Sequence, residues 1–464
     1  MKNKIQDLEK FIKGKKIAVL GVGISNRPLL KFIYEMGGIV TAFDMSDENN
    51  ADINAIINEL KSEKVKIEWI LGSDYLKSLS GFDIIFKTPK IRLDIPELIN
   101  ERKRGCIITS EMEVFMQFCP CEIIGVTGSD GKTTTTTMIS LLLKKQGYNI
   151  HVGGNIGNPL LPEIKSINPK DIVIIELSSF QLHSMKTSPD RAVITNLSPN
   201  HLDVHRNFKE YIEAKSNIFL YQNILGKAVF NRKDKISRKI ALKARGEVIW
   251  FSDKNEYIYY DKRRIYFSYT GKLDRKNVLI KGEHNLDNYC AAIACVRDLV
   301  SDDTILNVLK TFGGVEHRIE LVRKINNISF YNSSIDSSPN RTKATLKTFI
   351  DEGINVILIT GGKDKNSDYS GLGEEILKAS DRIILCGENS HLIEKSIFDA
   401  INNNPEINEP EIYHAEDYET AVIEAYKIAN PGEAVLLSPS GTSFDKFKNF
   451  EQRGNTFKRL VNKL

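Results

Sequence analysis

The chain has 464 residues, 41% of them hydrophobic and 27% charged, enough apolar content for substantial cores in roughly two to four domains. Sixty acidic side chains offset most of the 64 basic ones, so the net charge of +4 gives no argument for nucleic-acid binding. No secretory apolar core stands between Met1 and Lys16, and no stretch reaches about 18 apolar residues, so a soluble cytoplasmic protein is expected.

In chain order, Lys16–Leu20 reads as a strand, followed by the turn Gly21-Val22-Gly23-Ile24-Ser25 and a helix to about Met36. A second strand over 38–43 ends at Asp44 and completes a βαβ unit, with further strands predicted at 67–71, 83–87 and 106–109. A dinucleotide site would want a third glycine where Asn26 stands, so the turn is weak evidence for NAD or FAD. Another phosphate-bearing ligand, or only a tight structural turn, stays open.

Next, the apolar run 123–126 leads into Thr127-Gly128-Ser129-Asp130-Gly131-Lys132-Thr133 and a helix to about Leu143. Such a turn points backbone N–H groups at a phosphate, sets a lysine beside it and offers a hydroxyl to Mg²⁺. The common P-loop has a glycine five positions before Gly131, where this chain has Val126, so the loop is of a shortened kind. Strands over 172–175 and 192–195 then run into Glu176 and Asn196, with Asn200 and His201 just beyond. Apolar strands that end in polar loops mark the carboxyl edge of a parallel sheet, where α/β proteins collect ligands. The aromatic and β-branched stretch 227–269 predicts added antiparallel strands, and a smooth helix follows from Tyr289 to Val300. A third block from near Gly313 repeats buried strands at 356–359, 383–385 and 434–437, each before small residues. Asn402-Asn403-Asn404-Pro405 predicts a surface turn.

Lys132 is the candidate for phosphate contact and Thr133 for Mg²⁺, with Thr134 the next hydroxyl. Glu176 ends a very apolar strand, where a lone carboxylate is unfavourable, so Mg²⁺ or a salt-bridge partner must meet it. His201 reads either as a ligand or as a polar loop residue. Lys215, within Tyr211-Ile212-Glu213-Ala214-Lys215-Ser216-Asn217, reads by pattern as ordinary helix surface. His317-Arg318 and Lys363-Asp364-Lys365 are clusters able to neutralise anions, and Gly282-Glu283-His284-Asn285 reads as a helix cap. Six cysteines fit structural thiols, and eight histidines without HExxH spacing give no zinc site. Together these residues suggest ATP and a carboxylate substrate, with the second and third blocks sharing a catalytic centre.

Four motifs then carry a resemblance: the phosphate loop, Gly153-Gly154-Asn155-Ile156-Gly157, Glu176-Leu177-Ser178-Ser179-Phe180-Gln181-Leu182 and Gly282-Glu283-His284-Asn285. They are similar to the Mur ligase family over essentially the whole chain. The segment 443–454, Ser443-Phe444-Asp445-Lys446-Phe447-Lys448-Asn449-Phe450-Glu451-Gln452-Arg453-Gly454, resembles the members that add D-glutamate. The resemblance implies an α/β, three-domain Mur ligase architecture. A Rossmann-like N-terminal domain (1–112) would bind the UDP-linked substrate, a central P-loop ATPase-like domain (113–312) ATP, and a Rossmann-like C-terminal domain (313–464) the amino acid.

It also implies roles. Gly23, Ile24, Ser25, Asp44, Asn155 and His201 fall on the UDP-substrate side. Gly128, Ser129, Asp130, Gly131, Lys132, Thr133, Thr134, Asn285 and Arg318 fall around ATP. Ser337, Lys365, Ser443 and Phe450 fall around D-glutamate. Thr133, Glu176, His201 and Lys215, the last as a carbamate, match ligands of two Mg²⁺ ions, and Lys132, Glu176, His201 and Lys215 match catalytic positions. The implied reaction converts the carboxylate of UDP-N-acetylmuramoyl-L-alanine to an acyl phosphate, which the amine of D-glutamate attacks, in a monomer with no nucleic acid and no stable membrane association.

One segment departs from the family. Tyr331-Asn332-Ser333-Ser334-Ile335-Asp336-Ser337-Ser338-Pro339-Asn340 stands where many members have an Asn-Asp-Ser-Lys-Ala-Thr-Asn sequence, so Ser333 replaces an aspartate and Ile335 a lysine. Isoleucine neither donates a hydrogen bond nor neutralises phosphate, and that part of the site must be arranged differently. The competing readings are a related ligase adding L-alanine, a diamino acid or folate glutamate, a non-catalytic nucleotide-binding regulator, and an NAD enzyme. The 443–454 segment argues against the first, and retention of Lys132, Glu176, His201 and Lys215 against the second.

Overall fold

The computed structural model describes residues 4–23, 26–199, 205–280, 282–364, 367–404, 406 and 408–464. Ile24, Ser25, His201 and Lys365 lie outside the described residues. The chain divides into two compact units, Met1–Thr311 and Phe312–Leu464.

The first unit opens with a parallel five-stranded sheet built from β1 (Lys16–Leu20), β2 (Ile39–Asp44), β3 (Glu68–Leu71), β4 (Ile84–Lys87) and β5 (Ile107–Thr109). Its spatial order is β3-β2-β1-β4-β5, so the direction of winding reverses between β1 and β4. The carboxyl ends of those two strands therefore open a crevice of the kind that receives ligands in doubly wound sheets. Pro28 stands in the first turn of the helix Arg27–Glu35, where its missing N–H is harmless. Asn26 ties the preceding turn down, its side-chain amide donating to Leu20 O at 3.2 Å and Gly21 O at 2.9 Å. That is what the residue standing in place of a third glycine does.

A second parallel sheet contains β6 (Glu122–Thr127), β7 (Ile150–Gly154), β8 (Ile172–Glu176), β9 (Arg191–Ile194), β10 (Lys227–Asn231) and β11 (Glu247–Phe251), in the order β11-β10-β9-β6-β8-β7. The antiparallel strands predicted over 227–269 are corrected in part. Strands β10 and β11 run parallel and extend the main sheet, because the helix Lys235–Ala241 carries the chain back between them. Only β12 (Tyr259–Tyr260), β13 (Arg264–Tyr266) and β14 (Lys272–Asp274) form an antiparallel sheet. The helix predicted from Tyr289 starts earlier, at Glu283, with Gly282 as its N-cap. One apolar core joins both large sheets, running from Ile17 and Phe86 through Met112 and Phe115 to Ile123 and Ile175.

The second unit holds β15 (Glu320–Ile325), β16 (Ile328–Asn332), β17 (Val356–Thr360), β18 (Arg382–Leu385), β19 (Glu411–His414) and β20 (Ala434–Leu437), ordered β15-β16-β20-β17-β18-β19. All neighbours are parallel except β15 and β16. Strands β17 and β20 are buried along their whole length, and apolar clusters cover both faces of the sheet. Asn402 and Asn403 belong to the helix Ser390–Asn403 with Asn404 as its C-cap, which corrects that much of the predicted surface turn, and Pro405 lies outside the described residues. All six cysteines are buried and free, in line with structural thiols. Among the described residues no helix is long and apolar enough to cross a membrane.

Candidate active site

The phosphate loop connects the end of β6 to the helix Lys132–Gln146. Gly131 is its N-cap at φ 76°, and a Cβ there would collide with Asn288 Oδ1; one on Gly128 would collide with Thr195 Oγ1. Both positions need glycine because neighbouring polar side chains close over the loop. Those neighbours also fix it. Ser129 N donates to Asn196 O at 2.9 Å, Asp130 N to Asn196 Oδ1 at 3.0 Å, and Thr195 Oγ1 to Asp130 O at 2.6 Å. The ends of β6 and β9 thus hold the loop as one rigid turn at the head of a helix, the arrangement that receives an anion.

Lys132 Nζ donates to Gly128 O at 3.0 Å and to Ser129 O at 2.9 Å, so its ammonium caps the loop itself. Thr133 Oγ1 donates to Glu176 Oε2 at 2.7 Å, and Asn155 Nδ2 donates to Glu176 Oε1 at 2.9 Å. Glu176 is 1% exposed and among the described residues makes no salt bridge. Its carboxylate is satisfied by a hydroxyl and an amide. Thr134 is half-buried in the first turn of the helix.

Lys215 corrects the surface reading of its helix. The helix Phe208–Leu220 buries Tyr211, Ala214, Lys215, Ser216, Ile218 and Phe219, and Lys215 is only 2% exposed. Its Nζ donates to Gly128 O at 2.8 Å and Thr127 Oγ1 at 3.2 Å, and lies 4.9 Å from the centre of the Tyr211 ring. Burial pushes the amine down to about 7, with the Lys132 charge adding to the shift and Glu176 and Asp130 opposing it. Near neutral pH this lysine is therefore partly a free amine. Tyr211 OH shares a hydrogen bond with Ser129 Oγ at 3.0 Å. Sequence pattern missed Tyr211 and Asn288. The usable signal was spacing, since Tyr211 precedes Lys215 by one helical turn and Asn288 follows Asn285 by three residues.

On the first sheet, Asp44 Oδ2 accepts from Val22 N at 2.7 Å and Asp44 Oδ1 from Ser46 N at 2.9 Å. The aspartate that ends β2 so anchors the turn containing Gly23, which is exposed. Asn285 lies in the first turn of the helix Glu283–Val296 and accepts from Asn288 Nδ2 at 3.4 Å.

In the second unit, Arg318 is exposed, whereas His317 is buried. The His317 Nδ1 pairs with Asn332 Nδ2 at 2.9 Å, and burial lowers the pKa of the ring. His317 is thus packed inside its unit and held by Asn332, not presented on the surface beside Arg318. Lys363 exchanges two backbone hydrogen bonds with Thr442, at 2.7 and 2.9 Å. Ser443 is buried, Ser337 and Phe450 are half-buried, and Phe450 begins the helix Phe450–Lys463. In the divergent segment, Asp336 Oδ2 accepts from Ser438 Oγ at 2.8 Å and Asp336 N donates to Ser333 O at 3.0 Å, with the Ser333 and Thr345 hydroxyls close by. Burial pushes that carboxyl above its ordinary range, and the hydroxyls pull the other way. A carboxylate is therefore present beside Ser333, supplied from three residues further on.

A phosphate loop with a buried carboxylate and a buried lysine around it, followed by a second parallel α/β unit, matches known families at both places. Residues 126–296 match the Mur ligase middle domain, and residues 317–441 the Mur ligase glutamate ligase domain. The chain belongs to the Mur ligase family. It is 47% identical to UDP-N-acetylmuramoylalanine–D-glutamate ligase of Ruminiclostridium cellulolyticum and 46% identical to that of Clostridium beijerinckii, with all of both chains covered in each case. Among solved structures it resembles UDP-N-acetylmuramate-alanine ligase from Thermotoga maritima, at 20% identity and a TM-score of 0.53 over 97% of this chain and 99% of that one. It also resembles MurF from Acinetobacter baumannii, at 15% identity and a TM-score of 0.56 over 83% and 92%. These two likenesses establish the fold.

Proposed function

We propose that this protein joins D-glutamate to UDP-N-acetylmuramoyl-L-alanine at the expense of ATP, giving UDP-N-acetylmuramoyl-L-alanyl-D-glutamate, ADP and phosphate in peptidoglycan synthesis. The observation that carries the reading is the full-length identity of 47% to a protein of that name, together with the phosphate loop and the Lys215–Glu176 surroundings. The three functional segments are 1–112 for the UDP-linked substrate, 113–312 for ATP and 313–464 for the amino acid. The protein acts in the cytoplasm as a monomer, without stable membrane association.

The loop amides from Gly128 to Thr133 and the positive end of the helix Lys132–Gln146 hold the ATP phosphates. Lys132 exchanges the Gly128 and Ser129 carbonyls for phosphate oxygens, and Asn285 and Arg318 add contacts to the nucleotide. Gly23, Ile24, Ser25, Asp44, Asn155 and His201 hold the UDP-linked substrate. Its free carboxylate attacks the γ-phosphorus and ADP leaves. The D-glutamate amine, oriented by Ser337, Lys365, Ser443 and Phe450, then attacks the acyl carbon, and phosphate departs as the amine loses a proton. Activation is needed because a free carboxylate is a poor electrophile.

The residues present fit magnesium. Thr133 Oγ1 and the Glu176 carboxylate are hard oxygen donors already in contact, and Glu176 makes no salt bridge among the described residues. Thr133, Glu176, His201 and Lys215 would hold two ions, Lys215 after its free amine has added to carbon dioxide and lost a proton to form a carbamate. When bound, the metal neutralises charge on the transferring phosphoryl group.

The test is phosphate release by the purified protein. Release is expected only when ATP, UDP-N-acetylmuramoyl-L-alanine and D-glutamate are all present, with one glutamyl residue gained by mass. Equal turnover with L-glutamate, or phosphate release with no coupled product, would overturn the assignment.

A further inference from the structure

Arg453, in the helix Phe450–Lys463, has no measurable solvent exposure and is among the largest fully buried side chains of the described residues. Among the described residues no carboxylate forms a salt bridge with it. Four of its N–H donors go instead to neutral oxygens. Nε donates to Ser334 Oγ at 3.1 Å, Nη2 to Ser334 O at 2.9 Å, and both Nη1 and Nη2 to Gly441 O at 3.1 Å. Ser334 Oγ passes the connection on by donating to Phe450 O at 2.8 Å. A third loop closes over the guanidinium, since a Cβ on Gly362 would stand 2.9 Å from Nη1.

Those contacts have a pattern. Ser334 follows β16 and precedes Ser337, Gly441 follows β20 and precedes Ser443, and Gly362 follows β17 in the loop that leads to Lys365. Phe450 is the first residue of the helix that bears Arg453. One cation therefore touches all three loops that carry the residues assigned above to the amino acid. Burying a charge without a partner is unfavourable, and a methionine could pin a helix to a sheet without that penalty. A guanidinium does two things that methionine cannot. Its rigid fork fixes the angles between several carbonyls at once, and its charge, cancelled by no neighbouring carboxylate, favours an anionic ligand nearby.

We propose that Arg453 is a positioning residue for a dicarboxylate amino-acid substrate, setting the three loops in register and lending the site a positive potential without touching the ligand. This rests on the reading of the second unit as the D-glutamate site. The test measures KM for D-glutamate, ATP and UDP-N-acetylmuramoyl-L-alanine, together with thermal unfolding, in the full-length wild type, Arg453→Met and Arg453→Lys. The expected result for Arg453→Met is a KM for D-glutamate raised by about tenfold or more, with the other two constants within about twofold. Arg453→Lys, which keeps the charge and loses the fork, is expected to recover part of the loss. An unshifted KM for D-glutamate in folded Arg453→Met overturns the proposal, as does an equal shift of all three constants. Should Arg453→Met not fold, Arg453→Lys decides by the same comparison. A wild type that releases no phosphate with D-glutamate refutes the ligase reading instead, so the two failures are distinct.

Discussion

Lys215 shows how far a single side chain departs from its sequence context. Its chain neighbours include the polar Glu213, Ser216 and Asn217, yet its amine contacts Thr127 and Gly128, 88 and 87 residues away. Helical pattern could not reveal this, because the helix buries one broad face and the lysine lies on it. Only the family motif pointed inward. The pKa of about 7 gives a test by its sign. The unfolded chain keeps this proton up to roughly pH 10, while the folded chain releases it near 7. Between those values the unfolded state binds more protons, so stability rises with pH; below about 7 both states are protonated and the penalty of the buried charge is complete. Urea unfolding of Lys215→Met across pH 7 to about 10 is expected to show a flatter pH dependence than wild type. Identical slopes would remove the shift.

Gly131 makes the opposite point, since its role was legible from the motif alone. The structure adds the reason: a left-handed φ and the Asn288 side chain against its Cα. Gly131→Ala is expected to lower stability by about 1–3 kcal/mol and to abolish ATP-dependent phosphate release. Denaturant melts and a phosphate assay check both, and an active, undisturbed variant would contradict the loop geometry.

At the scale of elements, strands with continuous apolar runs were readable and those with mixed faces were not. Strands β17, β18 and β20 stood out because both sheet faces are covered. Strand β15 has only half-buried and exposed residues at a sheet edge, and β19 is four residues with exposed ends, so neither carried a clear signal. The helix Lys235–Ala241 was hidden by the cations in and beside it, Lys233, Lys235, Arg238, Lys239 and Lys243, and without it β10 and β11 looked like a hairpin. The turn between β16 and the helix Pro339–Asp351 was recognised as divergent, but the relation of Asp336 to Ser333 needed coordinates. Because burial already favours the protonated carboxyl, Asp336→Asn is expected to lose under about 1 kcal/mol and Asp336→Ala about 2 kcal/mol of stability. Equal losses in urea unfolding would show that the charge itself, not the hydrogen-bonded oxygen, is what the turn uses.

At the scale of the whole molecule, the two units repeat one solution, with polar loops gathered at the carboxyl ends of parallel strands. In the first unit the strand ends hold a phosphate loop, a buried carboxylate and a buried amine; in the second they hold three loops around one buried arginine. The most direct test of the account follows the oxygen atoms. If the substrate carboxylate attacks ATP, UDP-N-acetylmuramoyl-L-alanine labelled with ¹⁸O in its free carboxylate must pass one labelled oxygen to the released phosphate with each D-glutamate added. The account predicts one ¹⁸O per phosphate by mass spectrometry; unlabelled phosphate beside a normally formed product would contradict it.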